Sequence, residues 1–392
     1  MTNGLAVLAP FGKAEFEHRI ERARRGMQDH RLDAVVVTSE ANLEYLSGMV
    51  TQFAWVTPTR PFFFVLPRDG EPTAVIPEIA HTNWQDTSWC QNVITWPSPR
   101  PHDEGVSILK DLFGGLKRKF GRIGFEIGPE SRIGMPVADL WRLKSEIDFE
   151  IADCMPLMAG LRLIKSQAEV ARIRHMCSIA GEAFAELPRR ARIGDSEKKI
   201  HREFLASLII GGADAVPYLS IGSGPSGYTS IIMGPADRIL SEGDVLMLDT
   251  GSKIGGYFCD YDRNFAIGKP SDAVVRVHEA LWLATEAGIG AARPGATAAD
   301  LFRAQASVLS SHGFQVGNVG RFGHGLGRVV TEYPSNAPSD ETVLVPGMVL
   351  TIEPSAEYDG KIMAHEEDIV ITEDGAELLS PRAPRDIPII QA

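Results

Sequence analysis

The sequence predicts a two-domain α+β protein, a smaller α/β domain followed by a larger domain built on antiparallel sheet. Three observations carry this expectation. The chain has 392 residues, more than one hydrophobic core usually supports. Its first part alternates helical spacing with short β-branched runs. Its second part gathers helices into runs and strands into hairpins, the pattern of an α+β domain. The expected domains are residues 1–158 and 159–392.

In the first domain, Lys13–His30 places apolar residues at helical spacing. Ala34–Thr38 (AVVVT) reads as a buried strand. Phe62–Leu66 and Thr73–Ile76 repeat that signal around a Pro67–Pro72 turn. Gly124–Glu126 reads as a strand, Leu140–Ser145 as a helix and Ile147–Ile151 as extended chain. In the second domain, Ser166–Leu187 reads as a helix opened by a capping box of Ser166 with Glu169. Ser196–Ile210 reads as another. Expected strands are Tyr218–Ile221, Val245–Asp249, Tyr257–Ile267, Val349–Glu353 and Asp368–Thr372. Further helices are expected from Ser271 to Ala291 and after Thr297, which has Asp300 at capping-box spacing.

Composition narrows the function. The 44% hydrophobic and 23% charged fractions are ordinary for a soluble globular protein. A net charge of -12 argues against nucleic acid and against an anionic membrane surface, since both require clustered Lys and Arg. No stretch approaches the roughly 18 apolar residues of a membrane span. Met1–Pro10 lacks the basic start and long apolar run of a signal peptide, so a cytoplasmic location is expected. Cys90, Cys154, Cys177 and Cys259 form no C-x-x-C pair and are expected as free, mostly buried thiols.

The sharpest feature is a set of acids in apolar strands. Val245-Leu246-Met247-Leu248 runs into Asp249, and Tyr257-Phe258-Cys259 into Asp260. Leu350-Thr351-Ile352 runs into Glu353, and Glu367-Asp368 opens another apolar run. Buried carboxylates need a cation or hydrogen-bonded partners. His324 sits among Gly323, Gly325 and Gly327, where close backbone approach is allowed. Four carboxylates and one imidazole suit a pair of Mn, Co, Zn or Fe ions better than a thiolate zinc site. The plain alternative is that the acids pair with Arg263, Arg321 or Arg328.

The order of these motifs resembles the creatinase, prolidase and methionine aminopeptidase superfamily, whose catalytic domain has the pita-bread fold. The matching stretches are Asp249-Thr-Gly, Gly256-Tyr-Phe-Cys-Asp260-Tyr-Asp262-Arg263, Gly323-His324-Gly325, Gly347 to Pro354 and Glu367-Asp368. Ser223-Gly-Pro225, Pro235 to Arg238 and Arg162 to Ser166 also match. The resemblance implies a creatinase-like N-terminal domain, two divalent transition-metal ions and a homodimer acting on a small-molecule or dipeptide substrate. It implies Asp249, Asp260, His324, Glu353 and Glu367 as ligands, with Asp260 and Glu367 bridging. Glu353 would also shuttle the proton, so the expected catalytic residues are Glu353, His324 and Asp262.

Several positions depart from the Xaa-Pro peptidase pattern. Thr331 stands where a second histidine is usual, and Ile231 and Ile232 stand near the place of another. Asp262 replaces the usual Thr, as a sixth ligand, a supporting acid or a salt-bridge partner of Arg263. His365 is read in the place of the usual Arg. Asp-Tyr-Asp-Arg-Asn-Phe and His-Glu-Glu-Asp resemble DddP-type dimethylsulfoniopropionate lyases, with Glu332 the nearest candidate base. A hydrolase cleaving a C–N bond is therefore the first expectation. A lyase yielding dimethyl sulfide and acrylate is the alternative. Expected substrate contacts are Trp55 and Arg60, beside Phe53, in an aromatic loop, with Tyr228, Thr331, Tyr333 and His365.

Overall fold

A computed structural model of the chain describes residues 8–51, 56, 59–316 and 320–391. Phe53 and Trp55 lie outside the described residues. The chain divides into two compact units at Arg162/Leu163, four residues beyond the expected boundary.

The Ala9–Arg162 unit holds strands β1 (Ala34–Val37), β2 (Phe63–Pro67), β3 (Thr73–Pro77), β4 (Val93–Trp96), β5 (Arg122–Phe125) and β6 (Glu150–Asp153). They form one mixed sheet in the order β4-β3-β2-β1-β5-β6. The unbroken apolar run of β1 follows from burial on both faces. Val35 and Val37 pack with Ile20, Met27, Trp84 and Leu157. Ala34 and Val36 pack with Val106, Leu109, Leu140 and Leu143 on the other side. Helices thus cover both faces, the expected α/β layering.

The unit from Leu163 onward carries long helices Gln167–Arg190, Glu197–Gly211, Asp272–Ala291 and Ala298–Ser311. Both anticipated capping boxes form, Ser166 with Glu169 and Thr297 with Asp300. Its first sheet orders β7 (Ala215–Pro225), β8 (Asp244–Ile254), β10 (Tyr261–Ile267) and β19 (Ile389–Ile390) as β19-β10-β8-β7, with β9 (Tyr257–Phe258) paired to β8. A small sheet joins β11 (Gln315–Val316), β15 (Ser355–Tyr358) and β16 (Lys361–Ala364). The last sheet contains β12 (His324–Gly325), β13 (Glu332–Ser335), β14 (Val349–Ile352), β17 (Glu367–Ile371) and β18 (Ala376–Leu378). Its order is β13-β12-β14-β17-β18.

Two details bear on the site. Strand β8 does not stop at Asp249. It continues to Ile254 because its polar tail pairs with β7, Gly251 facing Tyr218 and Lys253 facing Ala215. The residue opposite Asp249 is therefore Asp262, and Asp260 falls in the break between β9 and β10. The β15–β16 hairpin turns on Asp359-Gly360, with φ of 47° and 72°. Such a left-handed pair matches the right-handed twist of the strands.

Candidate metal centre

The cluster assembles where strands break or end. Asp249 lies within β8 and Asp262 opposite it in β10. Asp260 precedes β10, and His324 opens β12. Glu353 leaves β14 as the chain passes towards β15, and Glu366 immediately precedes β17. One donor atom each from Asp260, His324 and Glu366 lies within 4.8 Å of the others. His324 Nε2 is 3.6 Å from Asp260 Oδ2 and 3.9 Å from Glu353 Oε2.

The backbone around His324 has no room for side chains. A Cβ on Gly323, at φ 122°, would stand 2.2 Å from the Thr351 carbonyl oxygen. One on Gly325 would stand 2.3 Å from that of Tyr333. The Nδ1 of His324 lies 3.0 Å from the Gly325 carbonyl oxygen, which can only accept, so Nδ1 carries the proton. Nε2 is left as a lone pair facing the acids, the form that binds a metal. Burial first, and the charge of Arg321 second, hold this imidazole down to about 4, so it is neutral at ordinary pH.

The acids, by contrast, resist ionising together. Burial lifts Glu353 to about 8, with the charge of Asp249 adding. Burial lifts Asp249 to about 6 against the pull of the Tyr218 hydroxyl, which donates to its Oδ2 at 2.7 Å. Asp260, Asp262 and Glu366 are pushed well up, by burial and then by neighbouring carboxylates. Asp249 Oδ1 and Glu366 Oε1 are buried without a hydrogen-bond partner among the described residues. Orphaned acceptors facing a neutral imidazole and several strained acids fit bound cations, which satisfy the lone pairs and remove the repulsion. The donor set of carboxylate oxygens with one imidazole suits Mn, Co, Zn or Fe.

Other groups hold the cluster in place. The Asp260 amide donates to Asp368 Oδ2 at 2.9 Å, and the Cys177 thiol reaches the same oxygen at 3.2 Å. The Glu366 amide donates to Asp262 Oδ1 at 3.1 Å. Asp262 thus faces Asp249 across the strands and also fixes the backbone of Glu366.

The structure corrects the expectation for Glu367. Successive strand residues point to opposite faces, and Glu367 points away from the cluster. It is fully buried on Arg263 Nη2 and Arg382 Nη1, both at 3.0 Å, with the Ala383 amide at 2.8 Å and the Ser380 hydroxyl completing the set. The arginine-pairing alternative therefore holds for Glu367 alone, and its neighbour Glu366 takes the place in the cluster. The sequence held two adjacent acids and no local sign of which one faces inward. The decisive partner Arg263 is 104 residues away.

Two expected substrate contacts are core residues. Tyr228 is buried, its hydroxyl donating to Asn264 Oδ1 at 2.9 Å and accepting from the Ala364 amide at 3.1 Å. His365 is buried too, with Nδ1 3.3 Å from the Thr285 hydroxyl and its ring edge-on to His278. Counted from Glu366 instead of Glu367, the position two residues earlier is Ala364. Tyr333 is exposed, its hydroxyl bonded to Thr342 at the rim of an open cleft lined by Ser335 and residues 339–342. Thr331 is half-buried in the loop leading into β13. Ile231 packs against the core and Ile232 is exposed, so neither carries out an imidazole's task. Arg60 lies in the Ala9–Arg162 unit, near Glu104. Burial would raise that carboxyl, but donors from Ser98, Trp96 and the Arg100 amide, together with Arg60, outweigh it. Glu332 is committed elsewhere, to Lys165 Nζ at 3.1 Å and the Arg328 amide at 2.8 Å. Sequence reasoning also missed Tyr218 and Asp368. Period-2 spacing puts Asp368 on the face of Glu366, a signal that was present.

Comparison with known proteins places the chain in a family. The profile of metallopeptidase family M24 matches residues 171–373, and that of the creatinase/prolidase N-terminal domain matches residues 19–164. The probable dipeptidase PepE of Mycobacterium tuberculosis is 28% identical over 371 residues, covering 93% of this chain and 94% of its own. The Xaa-Pro dipeptidase of Pyrococcus furiosus is 25% identical over 369 residues, covering 93% and 98%. The crystal structure of dipeptidase PepE from Mycobacterium ulcerans superposes with a TM-score of 0.84 at 27% identity, covering 98% of this chain and all of that one. With its N-terminal α/β unit and its pita-bread unit, the chain belongs to metallopeptidase family M24 and is a metallohydrolase of that superfamily.

Proposed function

We propose that this protein is a two-metal peptidase that hydrolyses the C–N bond of a dipeptide or similarly small substrate. The observation that carries the proposal is the convergence of Asp249, Asp260, His324, Glu353 and Glu366, with orphaned oxygens on Asp249 and Glu366. These five would hold the two ions. When bound, the ions supply a nucleophilic water at neutral pH and polarise the scissile carbonyl.

The chain's own groups divide the remaining work. Glu353 keeps part of its side chain open, 20% exposed, and takes no hydrogen bond from the described residues. It is the group free to accept a proton on Oε2 and deliver it to the leaving nitrogen. Asp249 is held by Tyr218, and Asp260 by the Asp368 contact to its amide, so both stay oriented. His324 stays neutral and is aimed by Gly325. Asp262 serves as a supporting acid that fixes Glu366.

The names of the relatives, a probable dipeptidase and an Xaa-Pro dipeptidase, support a dipeptide substrate. No observation favours the lyase alternative, because Glu332 is occupied by Lys165 and the Arg328 amide. A cytoplasmic homodimer is part of the proposal. No helix among the described residues is long and apolar enough to cross a membrane. The test is to load purified protein with Mn, Co, Zn or Fe and assay Xaa-Pro and other dipeptides beside dimethylsulfoniopropionate. Amino-acid release that disappears in Asp260→Ala is expected. Release of dimethyl sulfide, or no hydrolysis with any metal, would overturn the proposal.

A further inference from the structure

Lys165 and Glu332 form a buried ion pair to which the proposed chemistry gives no task. Lys165 Nζ stands 3.1 Å from Glu332 Oε2, the two side chains are 2% and 3% exposed, and the residues lie 167 positions apart in the chain. Taking two charges out of water is expensive, and a packed apolar pair in their place is often no less stable. The contacts of the pair point instead to a task of position.

Glu332 pairs with Gly325 at the base of the loop 326–331, which joins β12 to β13. Its other oxygen, Oε1, accepts the amides of Arg328 at 2.8 Å and Val329 at 3.4 Å. Buried loop amides need such acceptors. A Cβ on Gly327 would stand 2.8 Å from Oε2, so the loop closes tightly on the carboxylate. The loop is also stitched to the β8–β9 turn. The Gly327 carbonyl accepts the Phe258 amide at 2.9 Å, and Arg328 Nη1 donates to the Gly255 carbonyl at 3.3 Å. So held, the loop sets Val330 on β8. A Cβ on Gly251 would lie 2.6 Å from Val330 Cγ2 and 3.2 Å from Tyr218 Cβ. Tyr218 is the residue opposite Gly251 on β7. Asp249, two residues before Gly251, shares that face of β8. Val330 and Tyr218 therefore converge over Gly251, and the Tyr218 hydroxyl donates to Asp249 Oδ2 at 2.7 Å.

We propose that Glu332, paired with Lys165, is a positioning residue for Asp249 and acts on it through Val330 and Tyr218. The inference rests on Asp249 as a metal ligand. Lys165 holds the carboxylate, the carboxylate holds the loop, and the loop seats Val330 beside the base of the Tyr218 ring. The ring hydroxyl then fixes the Asp249 carboxylate. Every link is a hydrogen bond, an ion pair or a packed contact, and none requires Glu332 to touch metal or substrate.

The test is binding of Mn alone to the full chain, measured by calorimetry, so that no substrate enters. Lys165→Met with Glu332→Gln removes both charges but keeps an amide oxygen for the two loop amides, and should bind Mn as wild type does. Lys165→Met with Glu332→Leu removes the charges and that oxygen. It should weaken Mn binding by about 10-fold, the lower end of losses when a group orienting a ligand is removed. Val330→Ala truncates one half-buried side chain and should weaken binding likewise, which keeps the test open if the Leu pair fails to fold. Tyr218→Phe should show the same loss. Neither the Leu pair nor Val330→Ala should add to it, since changes along one line of contacts are not additive. Equal affinities of the Gln and Leu pairs, a wild-type Kd in Val330→Ala, or losses that multiply in the Tyr218→Phe background would overturn the inference. Wild type that binds no Mn would sink the metal centre and this inference with it. The expected pattern of Mn binding without any hydrolysis keeps the inference and sinks the peptidase reading alone.

Discussion

Glu366 and Glu367 are adjacent, yet the structure assigns them opposite tasks, and exchanging their chemistry separates those tasks. Glu367→Ala removes a fully buried carboxylate from Arg263, Arg382, Ser380 and the Ala383 amide. It leaves Arg263, itself buried, without its carboxylate. Breaking one side of a buried pair costs about 3–5 kcal/mol. For a domain of this size that corresponds to a fall in Tm on the order of 10 °C. Glu366→Gln is nearly the same shape and removes one of several mutually repelling carboxyls. The metal-free variant should hold or exceed the wild-type Tm. The assay is paired: thermal unfolding of chelator-treated protein, and metal content after loading with Mn and removing the excess. Glu366→Gln is expected to keep its fold and lose metal and activity. Glu367→Ala is expected to lose stability while its folded fraction still binds metal. The reverse result, metal retained by Glu366→Gln and stability retained by Glu367→Ala, would refute the strand register from which the site is argued.

Further outcomes follow from the same contacts. Asp368→Ala removes the acceptor of the Asp260 amide and should weaken Mn affinity by about 10- to 100-fold, as losses of groups orienting a ligand usually do, read by calorimetry. Tyr228→Phe deletes a hydroxyl buried between Asn264 and Ala364 and should cost about 1–3 kcal/mol by denaturant titration. KM should stay unchanged, and an altered KM would restore it as a pocket wall. Mn at a hundred times its Kd should stabilise the chelator-treated protein by about 2.7 kcal/mol for each site, seen as a rise in Tm. No rise would count against the centre. Thr331→His should raise turnover of Xaa-Pro dipeptides in steady-state assays if that loop contacts the peptide.

Much of this was legible in the sequence, for identifiable reasons. The AVVV run of β1 is apolar throughout because both faces are covered, and Ser166 with Glu169 marks a helix start through purely local hydrogen bonds. Asp249, Asp260, His324 and Glu353 stood out because acids and a glycine-flanked imidazole are costly in apolar strands unless something binds them. Features decided by distant partners were not legible. Whether Glu366 or Glu367 faces inward depends on one strand's register and on Arg263, far along the chain. Tyr228 looked like a pocket wall until Asn264 and the Ala364 amide were seen to take its hydroxyl. The continuation of β8 past Asp249 needed the pairing with β7, and the resulting register sets Asp262 opposite Asp249. The β15–β16 hairpin carried a usable signal in Asp359-Gly360, and so did the face shared by Glu366 and Asp368.

The most direct test of the central claim is anomalous diffraction from a crystal of the protein soaked in Mn. Two peaks are expected about 3.5–4 Å apart, bounded by Asp249, Asp260, His324, Glu353 and Glu366, with Glu367 still on its arginines. No peak at this cluster, or metal bound at Glu367, would contradict the account.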